Sequence, residues 1–347
     1  MSTWLTDNRR LLLLTGLALL LASVPLHAAP TWDDLRSYYD YDRALPLDPR
    51  DADTKTLGPY RVVQFTFAAT DRSRVPAALY LPTPDRSVGL QPTGVPAPLL
   101  LKPAQVERER PTRLVLFLHG LGGSKDDARL VAQMLCPNGI AILAIDARLH
   151  GERKRTDTEF LSPDLERAGQ NIIGTIIDNR RALDCLATRS DVHPRKIVLV
   201  GVSMGGILGS ILTAVEPRIQ AAALLVAGGR WDILLRRSDH DNARQIRATG
   251  ILPSMLRARL ASVEPVNFVG HIAPRPLFLA NGRLDTIVPP RSAQALQDAA
   301  GEPKEVHWYE AGHVAAVIQC LADLTDWLRR QLSPVAQTPV AEVAACP

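Results

Sequence analysis

The sequence lacks several features that would assign it to a specialised class of protein. Its longest apolar run, residues 11–24, is 14 residues long, whereas a membrane-crossing helix needs roughly 20. Its arginines are spread along the chain and form no basic tract, so the formal charge of +4 does not indicate a nucleic-acid-binding face. No segment repeats at a fixed period. What remains is a globular composition in 347 residues, long enough for one large α/β domain or two smaller ones.

Cysteine is scarce, and its spacing matches no zinc site. The four cysteines are at positions 136, 185, 320 and 346, and none belongs to a C-x-x-C pattern. Four cysteines allow three complete disulfide pairings. The alternative is four unpaired thiols that pack as small apolar residues.

The N-terminus has the pattern of a secretory signal peptide. Arg9 and Arg10 precede the apolar run, and a segment ending in small residues, 25–30, follows it. We expect cleavage after Ala28 or Ala29, so that residues 1–28 are removed and the protein is periplasmic or secreted. An uncleaved membrane anchor is the alternative, but the run is short for one.

The chain then changes character three times before a regular pattern begins. Residues 29–59 show no strong period, and we interpret them as an N-terminal arm. Residues 60–68 and 75–81 resemble two strands joined by a Thr-Asp-Arg-Ser turn, which predicts a hairpin. Residues 82–111 are rich in proline and indicate a surface loop.

From residue 112 onward, short apolar strands alternate with helical segments. Strands that are apolar on both faces predict a mostly parallel central sheet with helices on both faces, an α/β fold. The predicted strands are residues 114–118, 140–145, 197–200, 221–226, 277–280 and 305–309, and a final helix is predicted over 314–332. The Arg-rich segment at about 229–264 interrupts the rhythm and is interpreted as a small helical cap insertion. Residues 333–347 are expected to be a flexible tail.

The most informative stretch is Gly201-Val202-Ser203-Met204-Gly205, which follows a strand directly and precedes a helix. This G-x-S-x-G pattern is typical of a sharp turn that exposes a nucleophilic serine at the edge of a sheet. Gly201, Gly205 and Gly206 are predicted to form this nucleophile elbow, because side chains there would collide in the turn. The alternative is a glycine-rich turn that binds nothing or binds a phosphate.

A serine hydroxyl needs a base, and the base needs an orienting acid. In turns of this kind the acid and then the histidine follow the serine along the chain. His313 follows the last predicted strand and Asp285 follows the one before it, so both are expected at the carboxyl edge of the sheet. The remaining later histidines, at 240, 271 and 307, are interpreted as loop, lid or strand residues. Asp232 is the rival acid.

Two backbone N–H groups are expected to stabilise an oxyanion. One is that of Met204, which follows the serine, and the other is that of Leu121, in the loop after the strand at 114–118. His119, in the same loop, is interpreted as a structural hydrogen-bonding residue.

Four segments make residues 60–332 similar to the α/β-hydrolase superfamily, and within it to the branch of dienelactone hydrolases, acetyl xylan esterases and prolyl-oligopeptidase-like proteins. They are F-L-H-G-L-G-G-S at 117–124, D-A-R-L-H-G-E-R at 146–153, G-V-S-M-G-G at 201–206 and I-A-P-R-P-L-F-L-A-N-G-R-L-D-T-I-V-P at 272–289. The resemblance implies an α/β-hydrolase fold and an acyl-enzyme mechanism, with no metal or organic cofactor. It also favours a disulfide between Cys136 and Cys320, since the helices near them lie on the same side of the sheet in this fold family.

The sequence departs from dienelactone hydrolases in having serine in place of cysteine, and too few residues precede Tyr60 for the propeller of the oligopeptidases. Both differences favour a carboxylic ester, either a small molecule or a carbohydrate-linked acyl ester. A peptidase, an acyltransferase and a non-catalytic binding protein are the alternatives. A peptidase should hold an acidic or aromatic group near the cap, and Glu264 is a candidate, although a single loop Glu is usually solvated.

Overall fold

The structure, a computed structural model, describes residues 30–83 and 112–333. The predicted signal peptide, Cys346 and residues 334–347 of the predicted tail lie outside the described residues. The chain divides into two compact units. In the first, Met1–Ser37, the described residues form helix α1 (Trp32–Ser37). No helix within the two described ranges is long and apolar enough to span a membrane.

The described part of the second unit, which begins at Tyr38, is organised around one nine-stranded sheet of order β1-β2-β3-β5-β4-β6-β7-β8-β9. Strands β1 to β3 are antiparallel to their neighbours, and β3 also pairs antiparallel with β5. All pairs from β5 through β9 are parallel, which confirms the predicted mostly parallel sheet. The strands are β1 (Arg50–Leu57), β2 (Tyr60–Ala68), β3 (Arg74–Pro82), β4 (Arg113–Leu118), β5 (Ile140–Ile145), β6 (Lys196–Val202), β7 (Ile219–Leu225), β8 (Leu277–Gly282) and β9 (Lys304–Tyr309).

Helices cover both faces of this sheet, because the central strands are apolar on both sides and neither side can face water. The helices are α2 (Ala128–Leu135), α3 (Leu165–Thr188), α4 (Met204–Val215), α5 (Trp231–Arg237), α6 (Asp241–Ala248), α7 (Pro253–Arg259), α8 (Pro290–Ala299), α9 (His313–Gln319) and α10 (Leu321–Gln331). On one face, α2 and α10 share a buried cluster with alternate residues of the strands, Val198 and Val200 among them. On the other, Gly209 of α4 lies against Leu199 and Leu224.

Two elements differ from the sequence-based expectation. Strand β1 lies inside the predicted arm, and all eight of its residues are exposed. Its sequence, RDADTKTL, has no apolar alternation that would predict a strand. Backbone pairing with β2, and not burial of side chains, holds it in the sheet. The single helix expected over 314–332 is two helices, α9 and α10, which meet at Cys320.

The three described cysteines are buried, unpaired thiols. The disulfide between Cys136 and Cys320 that the resemblance favoured is therefore not formed. Both residues belong to the same apolar cluster, and the Cys320 thiol donates a hydrogen bond to the carbonyl of Val317. Burial raises the pKa of Cys320 to about 12, and a thiol held in its protonated form is a poor partner for disulfide formation.

We expect Trp327→Ala to lower the free energy of unfolding by about 3–5 kcal/mol, because it leaves a large cavity in the core. The Trp327 side chain is buried in α10, and its ring lies 5.8 Å from that of Phe278. The matched control is Arg330→Ala on the same helix, whose ion pair with Glu305 is exposed and is worth about 1 kcal/mol or less. Urea denaturation of both variants measures the difference, and equal losses would contradict this account of the core.

Candidate active site

Ser203 lies on a strained turn between β6 and α4. Its backbone has φ 57° and ψ −119°, a conformation that non-glycine residues rarely adopt. A Cβ on Gly205 would collide with the carbonyl of Leu118, and a Cβ on Gly201 would collide with the carbonyl of Gly205. The backbones therefore approach each other as closely as glycine allows, and the serine is turned outward at the carboxyl end of its strand.

Ser203, His313 and Asp285 are joined by consecutive hydrogen bonds. The serine Oγ is 2.9 Å from Nε2 of His313, and Nδ1 of the same ring is 2.7 Å from Oδ2 of Asp285. Since an ionised carboxylate only accepts, Nδ1 carries the proton, and Nε2 is left to accept from the serine hydroxyl. The three residues follow β6, β9 and β8, whose carboxyl ends meet at one edge of the sheet.

The Asp285 carboxylate is held by the backbone of the residues that follow it. Its Oδ1 accepts hydrogen bonds from the N–H groups of Ile287 at 2.8 Å and Val288 at 2.9 Å. Its side chain is almost fully buried. The rival acid Asp232 binds two arginines, Arg230 and Arg257, at 2.8 and 3.0 Å, so it is engaged elsewhere.

The other three histidines after Ser203 lie in different parts of the fold. His307 lies in β9, with Nδ1 3.6 Å from Asp323. His240 precedes α6, and its Nδ1 accepts from the N–H of Asn242. His271 belongs to a short 3-10 helix. Among the described histidines, His313 is the one hydrogen-bonded to Ser203.

The loop after β4 lies beside the serine. A Cβ on Gly120 would be 3.6 Å from Cβ of Ser203, and Leu121 and Met204 border the same pocket as the serine. Within the described residues, the N–H groups of Leu121 and Met204 donate to no other group. Neither N–H group is therefore committed to another acceptor within the described residues.

His119 links this loop to the one after β5. Its Nδ1 donates to the carbonyl of Gly120 at 2.8 Å, and its Nε2 accepts from the N–H of Ala147 at 3.1 Å. Burial lowers its pKa, which favours the neutral ring that this pair of bonds needs. With both nitrogens engaged, His119 has the structural role expected of it.

Asp146 is a buried residue that links two loops, and sequence reasoning assigned it no role. It is fully buried, and its two oxygens accept from the N–H groups of Lys125 at 2.8 Å and Glu152 at 2.9 Å. The side chain thus ties the loop after β4 to the loop after β5. Asp146 lies in one of the segments that carry the family resemblance, 146–153, and Lys125 directly follows another, 117–124. Only the fold shows that the two segments meet.

The predicted cap contains helices α5, α6 and α7. Its first helix is held by Glu264, whose oxygens accept from the N–H groups of Arg230 at 2.7 Å and Trp231 at 2.9 Å. The Trp231 indole donates to the carbonyl of Val263 at 2.7 Å. Glu264 is buried, not solvated, and burial raises its pKa. The position of Glu264 in the sequence does not indicate that it binds the first turn of α5.

An apolar pocket opens from Ser203 beneath the cap. Its empty volume, including the open mouth, is about 570 Å³. Helix α5 contributes Trp231, Leu234 and Leu235 to its wall, and Phe160 and Ile172 contribute from outside the cap. Ser203, whose hydroxyl is hydrogen-bonded to His313, thus borders an apolar pocket together with Leu121 and Met204.

A family model described as "Alpha/beta hydrolase family" matches residues 115–345. In sequence, the chain is 24% identical to "Esterase YjfP" of Escherichia coli (strain K12) over 196 residues, which cover 56% of this chain and 78% of that protein.

In structure, the chain is similar to an acetyl xylan esterase from Paenibacillus sp. R4, with a TM-score of 0.62 and 17% identity over 84% of this chain and 92% of that one. Acetyl xylan esterase 1 from Thermoanaerobacterium sp. JW/SL YS485 gives a TM-score of 0.63 and 16% identity over 86% of this chain and 95% of that one. At 16–17% sequence identity, this structural similarity shows a shared fold and nothing further.

Replacing Gly205 with Ala is expected to destabilise the protein by about 3 kcal/mol, because the new Cβ meets the rigid carbonyl of Leu118. Gly169→Ala is the matched control. A Cβ there meets nothing within 4 Å, and in helix α3 the change should stabilise by about 0.5–1 kcal/mol. Chemical denaturation compares the two, and a neutral Gly205→Ala would disprove the close contact.

Asp232→Asn is expected to cost roughly 1 kcal/mol of unfolding free energy at pH 7. The hydrogen bond from Arg230, followed by that from Arg257, lowers the pKa of Asp232 from 3.8 to about 2. The two arginine side chains are 41% and 50% exposed, so solvent screens part of the interaction. Because the folded-state pKa is depressed, the stabilisation is complete above about pH 4 and is lost as the pH falls towards 2.

Denaturation curves of both proteins from pH 7 down to pH 2 measure this effect, and the gap between them should close below about pH 4. Asp241→Asn is the control, since its pair with Arg244 is exposed on both sides and should contribute almost nothing. A gap that stays constant down to pH 2 would show that the ion pairs of Asp232 do not stabilise the cap.

Proposed function

The chain belongs to the α/β-hydrolase family, and from this premise we propose that it is a serine hydrolase that cleaves carboxylic esters through an acyl-enzyme. The observation that carries the proposal is the unbroken chain of hydrogen bonds from Ser203 through His313 to Asp285. In the proposed mechanism, His313 is the base that takes the proton of the hydroxyl, 2.9 Å away, and Asp285 is the acid that holds this base in the correct tautomer.

In the first half of the proposed cycle, Oγ of Ser203 attacks the ester carbonyl while Nε2 of His313 takes its proton. Asp285 stays ionised and stabilises the imidazolium that forms. The two N–H groups of Leu121 and Met204 donate to the oxyanion, and the N-terminus of α4 adds a favourable dipole. His313 then gives its proton to the leaving alcohol oxygen, and an acyl-serine remains.

In the second half, water replaces the alcohol. His313 removes a proton from the water as it attacks the acyl-serine carbonyl, and the same two amides stabilise the second oxyanion. Collapse releases the carboxylic acid and returns the proton to Ser203. The cycle uses protein groups and water alone.

An ester fits the site better than a peptide. A peptidase that grips a chain terminus needs a charged group free to pair with it, and Glu264 is already engaged by backbone N–H groups. Asp232 is neutralised by Arg230 and Arg257. The names of the similar proteins, esterase YjfP and two acetyl xylan esterases, support the same choice.

The substrate class is therefore proposed to be an acyl ester of a small molecule or a carbohydrate. The signal peptide over residues 1–28 remains a prediction, and with it the periplasmic or secreted location where such esters would be met.

The test compares p-nitrophenyl esters with aminoacyl p-nitroanilides. We expect ester hydrolysis by the wild type to fall by about 10⁴-fold or more in Ser203→Ala, because no other nucleophile replaces the hydroxyl. Asp285→Asn should lose about 10⁴-fold, because the tautomer of His313 is no longer enforced. The control is Ser333→Ala, an exposed serine at the end of α10.

Ester hydrolysis that persists unchanged in Ser203→Ala would overturn the assignment of the nucleophile. Faster cleavage of the nitroanilides than of the esters would instead favour a peptidase.

A further inference from the structure

Building on the proposed function, we propose that the acyl group of the substrate is an uncharged, unbranched aliphatic chain, from butyryl to octanoyl, that fills the apolar pocket under the cap. Acetyl esters are then poor substrates, although the fold is shared with acetyl xylan esterases.

The position of the pocket relative to the hydrogen-bonded residues identifies it as the acyl side. The leaving alcohol oxygen must face Nε2 of His313, since that nitrogen gives it a proton. Among the described residues, Ser203, Leu121 and Met204 border the pocket, and His313 does not. The carbonyl oxygen faces the two amides and the alcohol faces the histidine, so the chain attached to the carbonyl carbon is directed into the pocket.

The walls have the chemistry of a hydrocarbon site. Of the described residues that border the pocket, the polar ones are Ser203, Ser238 and His240, and none carries a carboxylate, ammonium or guanidinium group. A carboxylate at the end of the acyl chain would lose its water without gaining an ionic partner, which is costly. An aliphatic chain loses nothing of this kind.

The apolar wall is larger than an acetyl methyl can cover. Besides the residues next to Ser203, it includes Leu235 of α5, Ala243 of α6 and Ile172 of α3. Each further methylene of the acyl chain can cover more of this wall and is worth up to roughly fourfold in kcat/KM.

Hydrogen bonds within the cap fix the pocket wall without any contribution from a substrate. Glu264 fixes the first turn of α5 through the N–H groups of Arg230 and Trp231, and the indole of Trp231 is anchored at its own nitrogen. The wall that carries Leu234 and Leu235 therefore does not have to be assembled by the substrate.

The first measurement is kcat/KM for p-nitrophenyl acetate, butyrate, hexanoate, octanoate and dodecanoate. We expect a rise of about tenfold or more from acetate to hexanoate and a fall beyond octanoate. A monosuccinyl ester should be slower than the butyrate. A profile that is highest at acetate, or that is flat, overturns the inference.

Two substitutions should move the profile in opposite directions. Ala243→Leu adds bulk to the part of the wall formed by α6 and is expected to lower the ratio of hexanoate to butyrate activity by about tenfold, since one methylene too many costs about tenfold or more in an apolar pocket. Leu235→Ala opens the wall and should move the optimum to a longer chain. Ala248→Leu adds the same bulk at an exposed position of α6 and should leave the ratio unchanged. The inference is contradicted if the Ala248→Leu profile shifts as much as that of Ala243→Leu. It is also contradicted if neither pocket variant shifts the profile while melting at the temperature of the wild type.

Binding of the product acid separates this inference from the proposed function. Calorimetry with the Ser203→Ala protein should show hexanoate binding at least about tenfold more tightly than acetate, with no catalysis needed. If Ser203→Ala loses all ester hydrolysis but hexanoate and acetate bind alike, the serine hydrolase stands and the chain-length inference fails. If hexanoate binds selectively but esters are cleaved equally by wild type and Ser203→Ala, the pocket stands and the proposed nucleophile fails.

Discussion

At the turn between β6 and α4, the backbone of Gly205 lies against the carbonyl of Leu118, the last residue of β4. This contact lets the chain reverse direction without carrying Ser203 away from the edge of the sheet. The strained φ of 57° at the serine is the cost of that reversal. Because β4 and β6 are neighbours in the sheet, the same contact brings the loop that contains Leu121 next to the hydroxyl.

The parallel arrangement of β6, β8 and β9 completes the site. Each of the three strands ends at the same edge, and each is followed by one of the hydrogen-bonded side chains, Ser203, Asp285 and His313. The positions are set by backbone pairing in the sheet, and the local N–H groups of the loop after β8 orient the carboxylate.

In the cap, by contrast, charged side chains make hydrogen bonds and ion pairs that stabilise its structure. Glu264 binds backbone N–H groups, and Asp232 binds Arg230 and Arg257. In the sequence, Glu264 is a candidate for gripping a peptide and Asp232 is the rival acid, whereas in the structure both make hydrogen bonds within the cap. The pocket wall next to Ser203 is apolar, and this is the observation behind the proposed aliphatic acyl chain.

The succession of strands and helices from β4 to β9 along the chain, the turn around Ser203 and the loops carrying Asp285 and His313 were predictable from the sequence, because apolar runs and glycine spacing encode local structure directly. Strand β1 was not predictable, because its exposed residues form no apolar pattern. The hydrogen bonds from Arg230 and Trp231 to Glu264 were not predictable either. The distances between the three site residues, the burial of Asp146 and the apolar lining of the pocket were decided by the tertiary structure alone. These properties arise from contacts between residues far apart in the chain, and no local pattern records which of them will meet.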